Sequence, residues 1–379
     1  MDEKSLHELL ARAVATEPPP GPIAQSALRI GIRLRRRRRI QGATACGAVI
    51  AAIAVAIPAL AGAGRDGCIP AATAHRGAPV VYVADTNAVP GTVTPISTAT
   101  NEAGQPIRAG QTPSALVATP GGSTVYVASK GPAKVIPVAT ATNTPGKAIP
   151  VGGRKARIDA LAVTPDGRTL YAVDYRLGTV TPIATATGTA GTPIRVGAEP
   201  GEIAITPDGR TAYVSNDGSG TVTPISIATN TAGKPIKVGA GPGALAVTPD
   251  GRTLYVASYD AGTVTPVSTG TNRPGRPVRV GRAPYVLAIT PDGKTVYALS
   301  YHAGTVTPIA TATNTAGKPV RTGQRPIAIA ITPDGKTAYV SCLGNLAGPG
   351  TVTPIATATN TAGKPIGVGA GPTALVIAR

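Results

Sequence analysis

From Val80 onward the chain alternates short apolar runs with turn residues. In the unit from Gly239 to Gly281 the runs are Ala244–Val247, Thr253–Ala257, Thr263–Val267 and Pro277–Val280. Runs of this length, bounded by Gly, Pro, Asp and Asn, predict four strands, named a, b, c and d. Pro249-Asp250-Gly251 between a and b predicts a type I turn closed by Gly in a tight hairpin. No segment sustains a 3.6-residue period, and every unit carries several Pro and Gly. Helical repeats are therefore excluded.

The unit recurs. Thr-Pro-Asp-Gly begins at Thr164, Thr206, Thr248, Thr290 and Thr332, each 42 residues after the last, and a degenerate Thr119-Pro120-Gly121-Gly122 precedes them. Thr-Val-Thr-Pro-Ile/Val begins at Thr92, Thr179, Thr221, Thr263, Thr305 and Thr351, with Lys134-Val135-Ile136-Pro137-Val138 as a diverged copy. A third series is Tyr82, Tyr126, Tyr171, Tyr213, Tyr255, Tyr297 and Tyr339. Four-stranded units at this period predict propeller blades. The first unit begins at a strand b, Val80–Ala84, and the last stretch, Ala374–Ala378, is a strand a with no b after it. The expectation is an all-β, seven-bladed β-propeller over residues 80–379, closed by its C-terminal strand so that no raw edge is left.

The Tyr-Val-Ala/Ser element, the Pro-Asp-Gly turn and the Thr-Val-x-x-Ile strand together resemble the YVTN-type β-propeller repeat family. The resemblance spans residues 80–379. It departs from the family in two details: the Asn after Tyr-Val-x occurs only as Asn216, and Pro stands inside strand c. The family is similar in fold to surface-layer proteins, exported binding proteins and lactonase-like propellers, so it implies a fold more firmly than an activity.

Residues 1–39 read as a cytoplasmic tail. Leu6, Leu9, Leu10 and Ala13 share one face of a short helix, and Arg35–Arg39 closes the tail. Residues 40–63 carry no charge and are long enough to span a bilayer. The Arg cluster should hold its own end in the cytoplasm, which places the propeller outside. Ala59-Leu60-Ala61 and Ala61-Gly62-Ala63 also fit a signal-peptide cleavage pattern, so a single-pass anchor and a secreted form both stay open. Residues 64–79 form a linker.

Composition changes the picture in two ways. There is no Phe and no Trp, so any core is built from Val, Ile, Leu, Ala and Tyr. The net charge is +18, of which residues 1–41 supply +5 (nine Lys/Arg against four Asp/Glu). In the propeller the basic residues recur on turns. The a–b turns present Arg168, Arg210, Arg252, Lys294 and Lys336, and the c–d text is expected to add Lys147, Lys234, Arg276, Lys318 and Lys364 on the same face. That face could meet anionic lipid headgroups, or the charges could serve solubility alone.

The opposite face carries the text that does not repeat. Candidate ligand- or partner-binding residues there are Arg154, Arg157, Tyr175, Arg176, Tyr259, Asp260, Arg282, Tyr285, Tyr301, His302 and Arg325. Asp174, Asn216 and Cys342 fall in the same loops. His302 with Asp260 or Asp217 could form a general-base pair if their loops converge. His7, His75 and His302 are too scattered for a multi-His metal site, and the acids are too dispersed among Arg for a cation site. No metal, cofactor or nucleic-acid partner is expected. Cys68 and Cys342 could bridge outside the cell, although the linker enters on the other face. The predicted function is a monomeric, membrane-anchored binding module for an envelope protein or polymer. A lactonase-like hydrolase or lyase and a structural surface protein are the alternatives.

Overall fold

The computed structural model describes residues 80–85, 91–97, 104–130, 132–344 and 350–368. The tail, the uncharged run 40–63, the linker and the expected closing strand 374–378 lie outside them. Among the described residues no helix is long and apolar enough to cross a membrane.

The strands form seven antiparallel sheets, one per predicted blade. Blade 1 contains b (Val80–Asp85), c (Thr92–Ser97) and part of d (Ile107–Arg108), in the phase that the repeat predicts. Blade 5 shows the complete pattern. Its a, b and c strands are Pro242–Val247, Thr253–Ser258 and Thr263–Ser268. From blade 2 to blade 7 the a strands contact one another in sequence, which makes them the inner wall.

Strand d departs from the single run Pro277–Val280 read from the sequence. It is two fragments, Arg273–Pro274 and Val278–Arg279, both paired with c. Pro266 explains the break. A strand residue turns its N–H and C=O toward the same neighbour. The carbonyl of Pro266 accepts the Gly275 N–H at 2.7 Å, so the N–H that proline lacks would also have faced d. Gly275 lies against the proline: a Cβ there would meet Pro266 Cγ at 3.2 Å. The chain then leaves the sheet at Arg276-Pro277 and returns one step later. Proline is thus tolerated in strand c because its missing donor faces the interrupted strand.

The same break corrects the placement of Lys147, Lys234, Arg276, Lys318 and Lys364. They do not sit at the c–d turn. That turn closes earlier, with Asn272 at φ 54° and its N–H on Ser268 O at 2.8 Å. The five cations occupy the d-strand breaks, exposed along the outer edge of the blades. Broken pairing, proline and a charge together blunt an edge that could otherwise recruit another strand.

The a–b turns form as predicted. Thr248 Oγ1 donates to Asp250 Oδ1 at 2.6 Å, and that oxygen accepts the Arg252 N–H at 3.0 Å. Gly251 takes φ 72°, with its N–H on Thr248 O. The Thr hydroxyl, then the backbone N–H, hold the Asp166, Asp208, Asp250, Asp292 and Asp334 carboxyls below the usual aspartate range.

The core lies in the seams between blades. In strand b of blade 5, Tyr255 and Ala257 pack toward blade 6, whereas Leu254 and Val256 pack toward blade 4. Both faces of b are buried, so b reads as a nearly continuous apolar run. Tyr171, Tyr213, Tyr255 and Tyr297 are among the largest fully buried side chains. A buried phenol needs a hydrogen-bond partner, and each finds it in the next blade. Tyr82, Tyr171, Tyr213, Tyr255 and Tyr297 donate to Oδ1 of Asn143, Asn230, Asn272, Asn314 and Asn360 at 2.6 to 2.7 Å. Each of these asparagines also adopts the left-handed conformation that closes its own c–d turn, a conformation Asn tolerates better than most residues. One residue therefore ends a hairpin and fastens the neighbouring blade.

Burial, then the turn aspartate, push the phenols of Tyr171, Tyr213, Tyr255 and Tyr297 up to about 12. The unfolded tyrosines, near 10, release their protons first, so stability should fall as pH rises from 10 toward 12. Tyr255→Phe and Asn314→Gly should each cost about 1 kcal/mol in urea unfolding, and the double variant little more than either single one. Fully additive losses would show that the two side chains do not act as a pair.

Candidate functional site

The loop face is built from the b–c loops and the d–a loops, and the two sets are tied together. From blade 3 onward, the first residue after strand b donates its N–H to the residue before strand a of its own blade. Tyr175 N reaches Arg157 O at 2.9 Å, Tyr259 N reaches Gly241 O at 2.8 Å and Tyr301 N reaches Ala283 O at 3.1 Å. Beneath them the last residue of strand b is a buried brace. Ser258 and Ser300 bond to Val238 O and Val280 O, and Cys342 Sγ donates to Thr322 O at 3.4 Å. Asp174 Oδ1 accepts the N–H groups of Arg157, Arg176 and Leu177, and Asn216 accepts the Gly197 N–H at 3.0 Å. Asp174, Asn216 and Cys342 therefore stand under the loops and not at their surface. Burial pushes the Cys342 thiol up. Its proposed partner Cys68 lies outside the described residues.

Backbone strain gathers on this face. Among the described residues, the only non-glycine residues with positive φ besides the turn asparagines are Glu199 at 53°, Ala283 at 58° and Arg325 at 55°. Each directly precedes the proline that starts a strand a. Side chains other than Asn and Gly pay roughly 1 kcal/mol or more for this conformation, so the scaffold is overriding local preference at the mouth of the inner wall. Arg325 turns its guanidinium back onto Gly344 O. Every described a strand also shifts register near its start, a bulge that re-aims the residues there.

Two groups of side chains result. Across blades 5 and 6, Tyr259 Oη lies 3.1 Å from His302 Nε2. The Tyr301 ring meets His302 edge-on at 5.2 Å between centroids, and Tyr285 meets Tyr301 at 6.3 Å. Four residues named from the sequence thus come together as one aromatic group. Across blades 2 and 3, the Arg157 guanidinium lies 4.9 Å over the Tyr175 ring, and its Nε reaches Asp159 Oδ1 at 3.0 Å. Lys130 Nζ reaches the same oxygen at 3.1 Å, while the buried Asp159 Oδ2 has no partner. Arg154 and Arg176 near this group, and Arg282 in the loop before strand a of blade 6, are exposed at the rim of the loop face. Asp260 lies against Gly241, where a Cβ would fall 2.7 Å from its carboxylate oxygen. Asp217 is tied by its N–H to Glu199 O at 3.1 Å. Tyr259 Oη is a partner of His302 Nε2.

Sequence reasoning overlooked Glu202. It lies on strand a of blade 4, at the repeat position held by Ala115, Ala160, Ala244 and Ala328 in other blades. Its Oε2 accepts the Leu245 N–H of blade 5 at 3.2 Å. Water reaches it only partly. Burial pushes its carboxyl up to about 7, against the opposing pull of the Leu245 N–H. A carboxyl poised there can give or take a proton near neutral pH. An acid standing where other copies have alanine was the signal available. Among the described residues no three His, Cys, Asp or Glu side chains lie together as a metal site would need.

The sheet pattern and the solved structures it resembles agree. The chain is a β-propeller. Residues 177–271 match a family model described as Lactonase, 7-bladed beta-propeller. No match emerges among curated protein sequences. A dihydro-heme d1 dehydrogenase, NirN, aligns at TM-score 0.66 with 16% identity over 76% of this chain and 64% of that one. A putative 6-phosphogluconolactonase from Bacteroides uniformis aligns at TM-score 0.59 with 19% identity over 74% and 92%. Kuenenia stuttgartiensis hydrazine synthase is 27% identical over 55% of this chain and 65% of its own, at TM-score 0.50. This chain thus spans just under two thirds of both the hydrazine synthase and the NirN chains. The two alignments below 25% identity speak to fold alone.

The carboxyl of Glu202 gives a signed prediction. Between its unfolded value of 4.5 and about 7, the folded state keeps a proton that the unfolded state has lost. Stability should therefore fall as pH rises through that window. Glu202→Gln should flatten this slope in denaturant titrations at pH 5, 6, 7 and 8. An unchanged slope would place the carboxyl in ordinary solvent.

Proposed function

We propose that the propeller is a binding module that works from its loop face. The observation that carries this reading is the distribution of tyrosines. Of the 11 in the chain, seven form the strand b series. The other four, Tyr175, Tyr259, Tyr285 and Tyr301, all stand on the loop face, in a chain with no Phe and no Trp. Tyr and Arg anchor interfaces because they offer large contact area with a polar tip. Here three of these tyrosines group with His302, and the fourth lies under Arg157. In this reading residues 40–63 anchor the YVTN-type propeller at the cell envelope. Arg168, Arg210, Arg252, Lys294 and Lys336 face an anionic surface, and the partner is an envelope protein or polymer.

A second reading has its own support. The stretch matched by the lactonase model, 177–271, includes Glu202, whose carboxyl sits near neutrality beside the inner wall. A hydrolase or lyase would use Glu202 to move the proton and the rim arginines to hold an anionic substrate.

The test uses the full chain and a set of small sugars and aryl carboxylates observed by ligand NMR. Wild type should bind a subset, and Tyr259→Ala/Tyr285→Ala/Tyr301→Ala should lose it while keeping the thermal midpoint. Binding that survives the triple variant would remove the loop-face reading. Turnover of glucono-1,5-lactone that disappears in Glu202→Gln would replace it with the enzymatic one.

A further inference from the structure

The seam between blades 2 and 3 lacks two parts that the four seams from blade 3 to blade 7 have. Its tyrosine is Tyr126, 4% exposed. At the position of the fastening asparagine stands Gly188, which keeps the turn, with φ 65° and its N–H on Ala184 O at 2.8 Å, but offers no side chain. Tyr126 Oη consequently has no hydrogen-bond partner among the described residues, unlike Tyr171, Tyr213, Tyr255 and Tyr297. The second missing part is the turn aspartate of blade 2, replaced by Gly121. Thr119 Oγ1 turns instead to Ser123 Oγ at 3.4 Å, and a Cβ on Gly121 would meet nothing within 4 Å.

These two departures are 67 positions apart, from 121 to 188, yet they open the same place. A cleft of about 320 Å³ lies there, lined by Gly121, Ser123, Tyr126, Asp166 and Thr185 among others. The Tyr126 hydroxyl, without a protein partner in the cleft wall, is a donor open to an acceptor from a ligand. In the five seams where the tyrosine's acceptor is described, it is an amide carbonyl, the Oδ1 of asparagine. Threonine and serine hydroxyls suit a hydroxylated ligand, Pro120 and Ala186 offer a small apolar contact, and the Asp166 carboxylate disfavours an anion.

We infer that this cleft binds a neutral, hydroxylated ligand through an acetamido group whose carbonyl takes the place of the missing asparagine. The methyl of that group rests on the apolar wall, and Tyr126 Oη donates to its oxygen. The site lies on the a–b turn side of a blade seam, away from the loop face, and does not depend on any function proposed for that face.

N-acetylglucosamine, glucose and glucuronate are the probes, titrated against the full chain by NMR. N-acetylglucosamine should saturate, with the other two weaker by roughly tenfold or more, the effect of losing one buried hydrogen bond. Tyr126→Phe should weaken it by a similar factor without loss of stability, since the hydroxyl has no partner to lose. Gly188→Asn should abolish binding, because it installs the asparagine, and should raise the thermal midpoint by a few degrees. Absent saturation in wild type, equal binding of glucose, or unchanged binding in Gly188→Asn would each overturn the assignment.

Discussion

The hydroxyl of a buried tyrosine is the constraint on which the rest of this propeller depends. A chain without Phe or Trp must fill its seams with Tyr if it is to place any large ring there. Each ring contributes the burial of its apolar body but brings a phenol that would cost about 1 to 3 kcal/mol if left unpaired. The solution is an acceptor from the next blade. Because that acceptor is also the left-handed residue of a hairpin turn, its side chain is positioned by backbone geometry and not by packing alone. The fold is then assembled from identical local decisions, each of which commits one blade to its neighbour.

The consequence for function is a division of labour between the two ends of the blades. The a–b turns are held by threonine, aspartate and glycine in fixed roles, so their text cannot drift far. At the other end, backbone N–H groups and buried polar braces carry the structure, and the side chains above them are free to differ. Tyr259, Tyr285 and the Tyr301–His302 pair come from three separate segments of two blades, and the packing of one blade on the next brings them together. Glu199, Ala283 and Arg325 hold strained conformations at the same end, which shows how firmly the braces specify the loops.

Much of this was legible in the sequence because the repeat supplies its own alignment. The strand number, the a–b turn and the unpartnered first blade follow from three markers kept in register. The broken d strand was less legible, since it depends on which neighbour Pro266 faces, a matter of pairing and not of composition. Asn272 and its equivalents read as turn residues, and nothing local reveals that their amides reach into another blade. Glu202 could have been found by asking where a copy departs from its siblings in chemistry as well as in spelling. Asp174, Asn216 and Cys342 show the opposite error: they vary among copies, yet they are braces, because several different polar groups can hold the same loop.

A row of equivalent fasteners has no preferred place to come undone. The Tyr126 seam gives this one such a place. Among the described seams, thermal motion that separates blades meets least resistance between blades 2 and 3, where Gly188 stands in place of the asparagine. That makes the first partially opened form of the molecule a defined species instead of a random one. It would be split at a known seam, with blades 3 to 7 still fastened to one another.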